Sequence, residues 1–302
     1  MKNLHDRFAK EYLAELLAPF GRVEPAKSIG GEVQEIDLYF EPQDDGHSEL
    51  REAGIIGAIA QTACLIEPYR NPVGGEQIRD CVSKLLLVWA DKRRVSRRQS
   101  QTLSPQVTPY LWILTPTCSP RWLEAFGAQP STQAGFFELP SGLRTRIVIL
   151  HQLAPTPETL WLRVLGRGTT QQQAVTELIA LPESNPYRQN LMEILADWRQ
   201  NLALRDNLNR AEQEAMMNLS PVYTQQIETW KREGIQLGKQ EGIQLGKQEF
   251  LETSFRLRFG DGATAAIALI PQMIGLGMAE LVPLAMNASL SELQQRFGST
   301  SD

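Results

Sequence analysis

The chain has 302 residues, 30 Lys and Arg against 35 Asp and Glu, three His, and a net charge of −5. That length allows two domains and a substantial core, and 42% hydrophobic with 22% charged residues excludes wholesale disorder. The acidic balance argues against a protein that coats nucleic acid through net charge, while leaving room for a local basic groove.

Residues 6–20 read as a helix with Asp6 as N-cap and an apolar stripe of Phe8, Tyr12, Leu13, Leu16, Leu17 and Phe20. Arg22 to Ile29 reads as a short strand, and VQEIDLYF (33–40) as a second. A polar loop (42–49) holds His47, and a helix is expected over 49–60. ACLIEPYR (63–70) reads as a buried strand, 76–94 as a long helix and YLWILTP (110–116) as a strand. A helical turn is expected at 121–126, and two further strands at 142–153 and 159–166. His151 falls inside an apolar strand pattern and reads as a core histidine.

From Thr169 only helical patterns remain, at 170–181, 186–206 and 209–217. Ser220-Pro221 reads as an N-cap with proline at the first helical position, opening a helix to about Phe259. A helical tail follows, with Ser289-x-x-Glu292 as a capping box. This divides the chain into an α/β domain over 1–168, a helical segment over 169–219, a long helix over 220–259 and a small helical domain over 260–302.

Cys64, Cys81 and Cys118 form no CxxC pair, which fits a reducing compartment better than a disulfide framework. The charged N-terminus does not resemble a signal peptide, and the most apolar stretch, 263–286, is interrupted by Pro271 and Pro283. A cytoplasmic protein without membrane association is expected.

EGIQLGKQ occurs twice in tandem, at 233–240 and 241–248, so glycines recur every four residues at 234, 238, 242 and 246. On a helix they form a stripe, and each costs about 1 kcal/mol against alanine. Self-association through 220–259 is one reading; a solvated spacer helix is the other.

In VQEIDLYF the strand period places Val33, Glu35, Asp37 and Tyr39 on one face and Ile36, Leu38 and Phe40 on the other. In LIEPYR, Leu65, Glu67 and Tyr69 share a face. Acids inside apolar strands need partners, because a buried unpaired carboxylate is costly. If the strands are neighbours, Asp37 and Glu67 converge, as a hard divalent ion such as Mg²⁺ requires. The same acids can instead form structural ion pairs with Arg70, Arg79 or Lys84. Lys92, Arg93, Arg94, Arg97 and Arg98 form a basic cluster. It complements a helix C-terminus as a solvated helix end, the preferred reading, or else suits nucleic-acid phosphates.

The opening His5-Asp6-x-Phe8-x-Lys10 resembles the start of the Rpn family of recombination-promoting nucleases. The long helix with its EG-x-x-x-G repeat resembles the glycine-spaced tail of that family. LWILTPT, LRTRIVILHQL and ETLWLRVLGRG resemble a cyanobacterial subgroup of it. The resemblance implies a PD-(D/E)XK, restriction-endonuclease-like domain whose core runs helix, three strands, helix, strand, with 47–60 as an insert. It implies a Mg²⁺-dependent DNA endonuclease. Asp37 takes the motif aspartate's place and Glu67 the second acid's, both as metal ligands and catalytic residues, with Glu35 as a further candidate ligand. Tyr69 stands where the family has its lysine, so Lys84 or Arg70 is expected to supply the cation. Glu11 is a candidate additional acid. The alternative is a non-catalytic interaction protein that keeps the fold and dimerises through the glycine-spaced helix.

Overall fold

The structure, a computed structural model, describes residues 4–29, 34–43, 54–100 and 108–298. Val33, His47, most of the 42–49 loop and the start of the helix expected from residue 49 lie outside the described residues. The chain forms two compact units, Met1–Gln226 and Ile227–Asp302, and each is treated by itself.

The first unit opens with α1 (Leu4–Leu17), followed by β1 (Gly21–Ile29), β2 (Gln34–Pro42), α2 (Gly54–Ile59) and β3 (Cys64–Pro68). Then come α3 (Gly75–Arg98), β4 (Tyr110–Thr115), α4 (Pro120–Ala125), β5 (Gln129–Pro130), β6 (Phe136–Glu138) and β7 (Thr145–Ile149). The seven strands form one mixed sheet in the order β1-β2-β3-β4-β7-β6-β5. β1, β2 and β3 are antiparallel neighbours; β3, β4 and β7 run parallel; β7, β6 and β5 are antiparallel again.

Each face of the sheet carries its own core. Leu38, Phe40, Cys64, Ile66, Trp112 and Leu114 pack under α1, whose stripe of Phe8, Tyr12, Leu13, Leu16 and Leu17 is buried as its spacing predicts. Tyr39, Leu65, Leu111, Ile113 and Ile147 pack under Ile78, Cys81, Leu85 and Val88 of α3. Strand alternation explains this division, with one departure. Ile36 joins the α3 core although Leu38, two residues on, joins the α1 core. The alternation therefore breaks at Asp37, and the expectation that Ile36 shares a face with Leu38 and Phe40 is corrected. Across the ladder the β1–β2 register brings Ala26 level with Asp37, and Ala26 holds a left-handed φ of 55°. The distortion is thus shared by both strands.

The residues 159–166, expected as a strand, are helical: α5 spans Leu160–Arg163. Arg163 is the reason. It is buried, with Nε donating to Thr159 Oγ1 at 3.0 Å, Nη2 to the Thr156 carbonyl at 3.0 Å, and both terminal nitrogens to Glu177. An arginine inside an apolar run requires such a set of acceptors, and a turn at 156–159 supplies two of them. His151 is also not a core residue: it lies exposed in a turn after β7, accepting the Arg167 main-chain N–H at 3.3 Å.

α6 (Gly168–Ala180) and α7 (Arg188–Ala203) bury Ala174, Val175, Leu178, Leu191, Met192, Leu195 and Trp198 in the core under α1. These helices are part of the first unit and do not stand apart from the α/β domain. α8 (Arg210–Phe259) starts ten residues earlier than Ser220 and runs through Pro221. A reciprocal cap opens it, with Glu212 N–H donating to Asn209 Oδ1 and Asn209 N–H to Glu212 Oε2. Leu219 and Val222, buried on either side of the proline, hold the helix together there.

The second unit holds α8 from residue 227, then α9 (Ala263–Ile267), α10 (Ile270–Met273), α11 (Met278–Asn287) and α12 (Leu290–Phe297). Leu251, Phe255, Ala266, Met273, Leu281, Ala285 and Leu293 make its small core. The predicted Ser289–Glu292 capping box opens α12. Among the described residues no helix is long and apolar enough to cross a membrane.

Candidate active site

The β2–β3 register pairs Leu38 with Ile66, which brings Asp37 level with Glu67. The strands are neighbours, as the expectation required, and the two acids stand level on them. The Asp37 main-chain N–H donates to Glu67 Oε1 at 3.4 Å, and Lys84 Nζ donates to Glu67 Oε2 at 2.8 Å. Glu67 is 1% exposed. Lys84 reaches it from α3, nine residues into a helix whose Ile78, Cys81 and Leu85 are buried against the same strand layer.

A second cation closes the other side. Lys10 of α1, 8% exposed, donates to Asp37 Oδ1 at 2.8 Å and to Glu35 Oε1 at 3.2 Å, and lies 3.4 Å from Asp6 Oδ2. Asp6 and Lys10 are one helical turn apart, so one face of α1 presents both. Two acids on adjacent strands are thereby held by two lysines from the helices on opposite faces of the sheet.

The protonation energetics follow from this packing. Burial first, then the neighbouring Asp37, raise the Glu67 carboxyl, Lys84 opposes both, and the balance stands at about 7 against an ordinary 4.5. Burial works against the Lys84 ammonium, but Glu67 outweighs it and holds the lysine above its ordinary value. Lys10 is likewise held well above its usual range, its burial outweighed by Asp37, Asp6 and Glu35. Burial, with Asp37, raises Asp6.

Other expected residues stand elsewhere. Arg70 leaves the carboxylates: its Nη2 donates to the Ala211 carbonyl at 2.5 Å and its guanidinium lies 5.6 Å from the Trp198 ring. The strand ends at Pro68, which frees Arg70 to turn away. It lines a cavity of ≈230 Å³ with His5, Asn71, Trp198, Asn209 and Glu212. Tyr69 stays beside the acids but turns its hydroxyl to Cys81 Sγ at 3.2 Å, and burial, with Cys81, Glu67 and Asp37 nearby, holds that phenol well above its ordinary value. Glu11 is exposed and pairs with Arg7 one turn back, outside the site. Glu35 shares Lys10 with Asp37, yet among the described residues no three His, Cys, Asp or Glu side chains gather at metal-ligand spacing.

Sequence reasoning gave Lys10 no role. Its signal was the Asp6–Lys10 spacing on the border of the α1 stripe. His5 and Phe8 of the same opening motif are structural: Phe8 stacks on Trp198 with centroids 4.0 Å apart, and His5 meets Trp198 edge-on. The basic cluster is divided. Lys92 pairs with Glu41, Arg94 with Asp91, and Arg93 lies over Trp89, while Arg97 and Arg98 stay exposed in the last turn of α3.

No family model matches the chain, and no curated protein or solved structure matches it.

Proposed function

We propose that the first unit is a metal-dependent DNA endonuclease of the Rpn, PD-(D/E)XK type. The observation that carries this reading is the juxtaposition of Asp37 and Glu67 on neighbouring strands, with Lys84 at 2.8 Å from Glu67. The order α1, β1, β2, β3, α3, β4, with α2 as an insert, supports it. So does the lysine from α3, which offers the cation that Tyr69 cannot.

The donor set suits a hard cation, because both acids offer carboxylate oxygens. Asp37 and Glu67 would hold Mg²⁺. The ion, when bound, supplies an activated water and neutralises charge on a phosphodiester. Lys84 stays cationic beside Glu67 and stabilises charge at the scissile phosphate. Lys10 fixes the Asp37 carboxylate from the opposite helix. Exposed Arg97 and Arg98 offer phosphate contacts for DNA.

A second reading, a non-catalytic interaction protein, is favoured by one observation: each acid already has a lysine partner within 2.8 Å. Incubation of the purified chain with supercoiled and linear DNA in Mg²⁺ or Mn²⁺ separates the two. The nuclease reading expects metal-dependent cleavage that disappears in Asp37→Ala and in Glu67→Ala. Absence of cleavage together with absence of Mn²⁺ binding to the native chain overturns it.

A further inference from the structure

Among the described residues nothing packs on α8 over 231–246. Residues 231–246 are all exposed, and Ile235, Leu237, Ile243 and Leu245 are 72%, 57%, 50% and 57% exposed. A Cβ added at Gly234, Gly238, Gly242 or Gly246 would meet nothing within 4 Å. Four large aliphatic side chains in water along one helix are a cost that nothing among the described residues offsets.

The side chains beside the glycines are sorted. One flanking row, at spacing four, is Lys231, Ile235, Lys239 and Ile243. The other is Glu233, Leu237, Glu241 and Leu245. One row carries only positive charge and the other only negative charge, and each alternates charge with an aliphatic side chain. The glycines set how closely a neighbour can approach; the rows identify the neighbour.

From this sorting we infer that residues 231–246 pair with the same segment of a second copy, in parallel and in register. Two-fold symmetry decides the direction. In a parallel pair the axis runs along the helices, so the lysine–isoleucine row of one chain lies against the glutamate–leucine row of the other. Lys239 then falls between Leu237 and Glu241 of the second copy, and Ile235 and Ile243 meet Leu237 and Leu245. In an antiparallel pair the axis runs across the helices, and each row meets itself. Lysines would then face lysines, and glutamates glutamates. Spacing of four between small residues also suits the close i, i+4 packing of crossed parallel helices. The seam ends at Lys247, whose Nζ is already held by the carbonyls of Ile274 and Leu276.

This pairing stands independently of the nuclease reading. Sedimentation of the full chain at micromolar concentration is expected to show a dimer. Lys239→Glu is expected to raise the dimer dissociation constant on the order of tenfold, because the change acts twice by symmetry and replaces attraction with repulsion. Adding Glu241→Lys to it restores the native value. All these positions are exposed, so circular dichroism should be unchanged. Direction is read by oxidation in a Cys118→Ser background. Gly234→Cys and Gly246→Cys, about 18 Å apart along the helix, should each cross-link to their own kind and not to one another. A monomer at all concentrations overturns the proposal. So does tighter association of Lys239→Glu, or cross-linking only in a mixture of the two cysteine variants.

Discussion

Lys10 and Lys84 approach one carboxylate pair from opposite sides of the sheet, Lys10 at 2.8 Å from Asp37 and Lys84 at 2.8 Å from Glu67. The two contacts differ in burial. Glu67 is sealed beneath α3, whereas Asp37 keeps part of its surface. Glu67 therefore has almost no water to share its charge with and relies on Lys84.

Lys84→Met should destabilise the first unit by about 2–4 kcal/mol at pH 8, because it leaves a buried carboxylate with no counter-charge. The loss should shrink below pH 6, where Glu67 takes up a proton. Urea unfolding at the two pH values measures both.

Glu67 and His5 should give opposite pH slopes. The folded state raises Glu67 from 4.5 to about 7, so it binds more protons than the unfolded chain in that window, and stability falls as pH rises through it. Burial, with Arg70 and Arg167 nearby, lowers His5 from 6.5 to about 3. The unfolded chain takes up that proton first, so stability falls as pH drops below about 6.5. Glu67→Gln should leave the His5 slope alone, with melting temperature rising steadily from pH 4 to 7. A flat profile in that variant contradicts the assignment.

Lys10→Met leaves Asp6, Glu35 and Asp37 without their shared cation. Stability should fall by about 1–3 kcal/mol, and 0.5 M salt should recover part of the loss by screening acid–acid repulsion. On the nuclease reading, DNA cleavage by this variant should fall well beyond what its unfolded fraction accounts for. Lys10→Arg should recover stability more fully than cleavage, since a planar fork cannot reproduce the geometry of an ammonium.

Arg163→Met should cost about 3–5 kcal/mol, because Glu177, Thr159 and the Thr156 carbonyl lose their donor together. Glu177→Gln, which keeps acceptor geometry while removing the charge, should cost less. Thermal melts of both variants test the order.

The strand acids were legible because carboxylates in apolar strands demand partners, and their adjacency followed once β2 and β3 were neighbours. Lys84 was legible as a cation two helical turns into α3. The 159–166 segment was not, because a short apolar run has no period that separates helix from strand. Its arginine carried the better signal, since four acceptors could reach it only if the chain turned. β6 has three residues, too few for alternation to show. The face change at Asp37 left no mark in the sequence, because Ile36 and Leu38 are both apolar and only packing assigns them to different cores.

That face change has an effect on how the strand tolerates change. Ile36 answers to the packing under α3 and Leu38 to the packing under α1, so neighbours two residues apart are constrained by different halves of the unit. Asp37 sits at the crossing and belongs to neither core. A position excused from packing is one where a polar side chain can be kept or altered without repacking either layer. Ala26, level with it on β1, carries the conformational cost of that freedom, and Ala26→Gly should return about 1 kcal/mol of it.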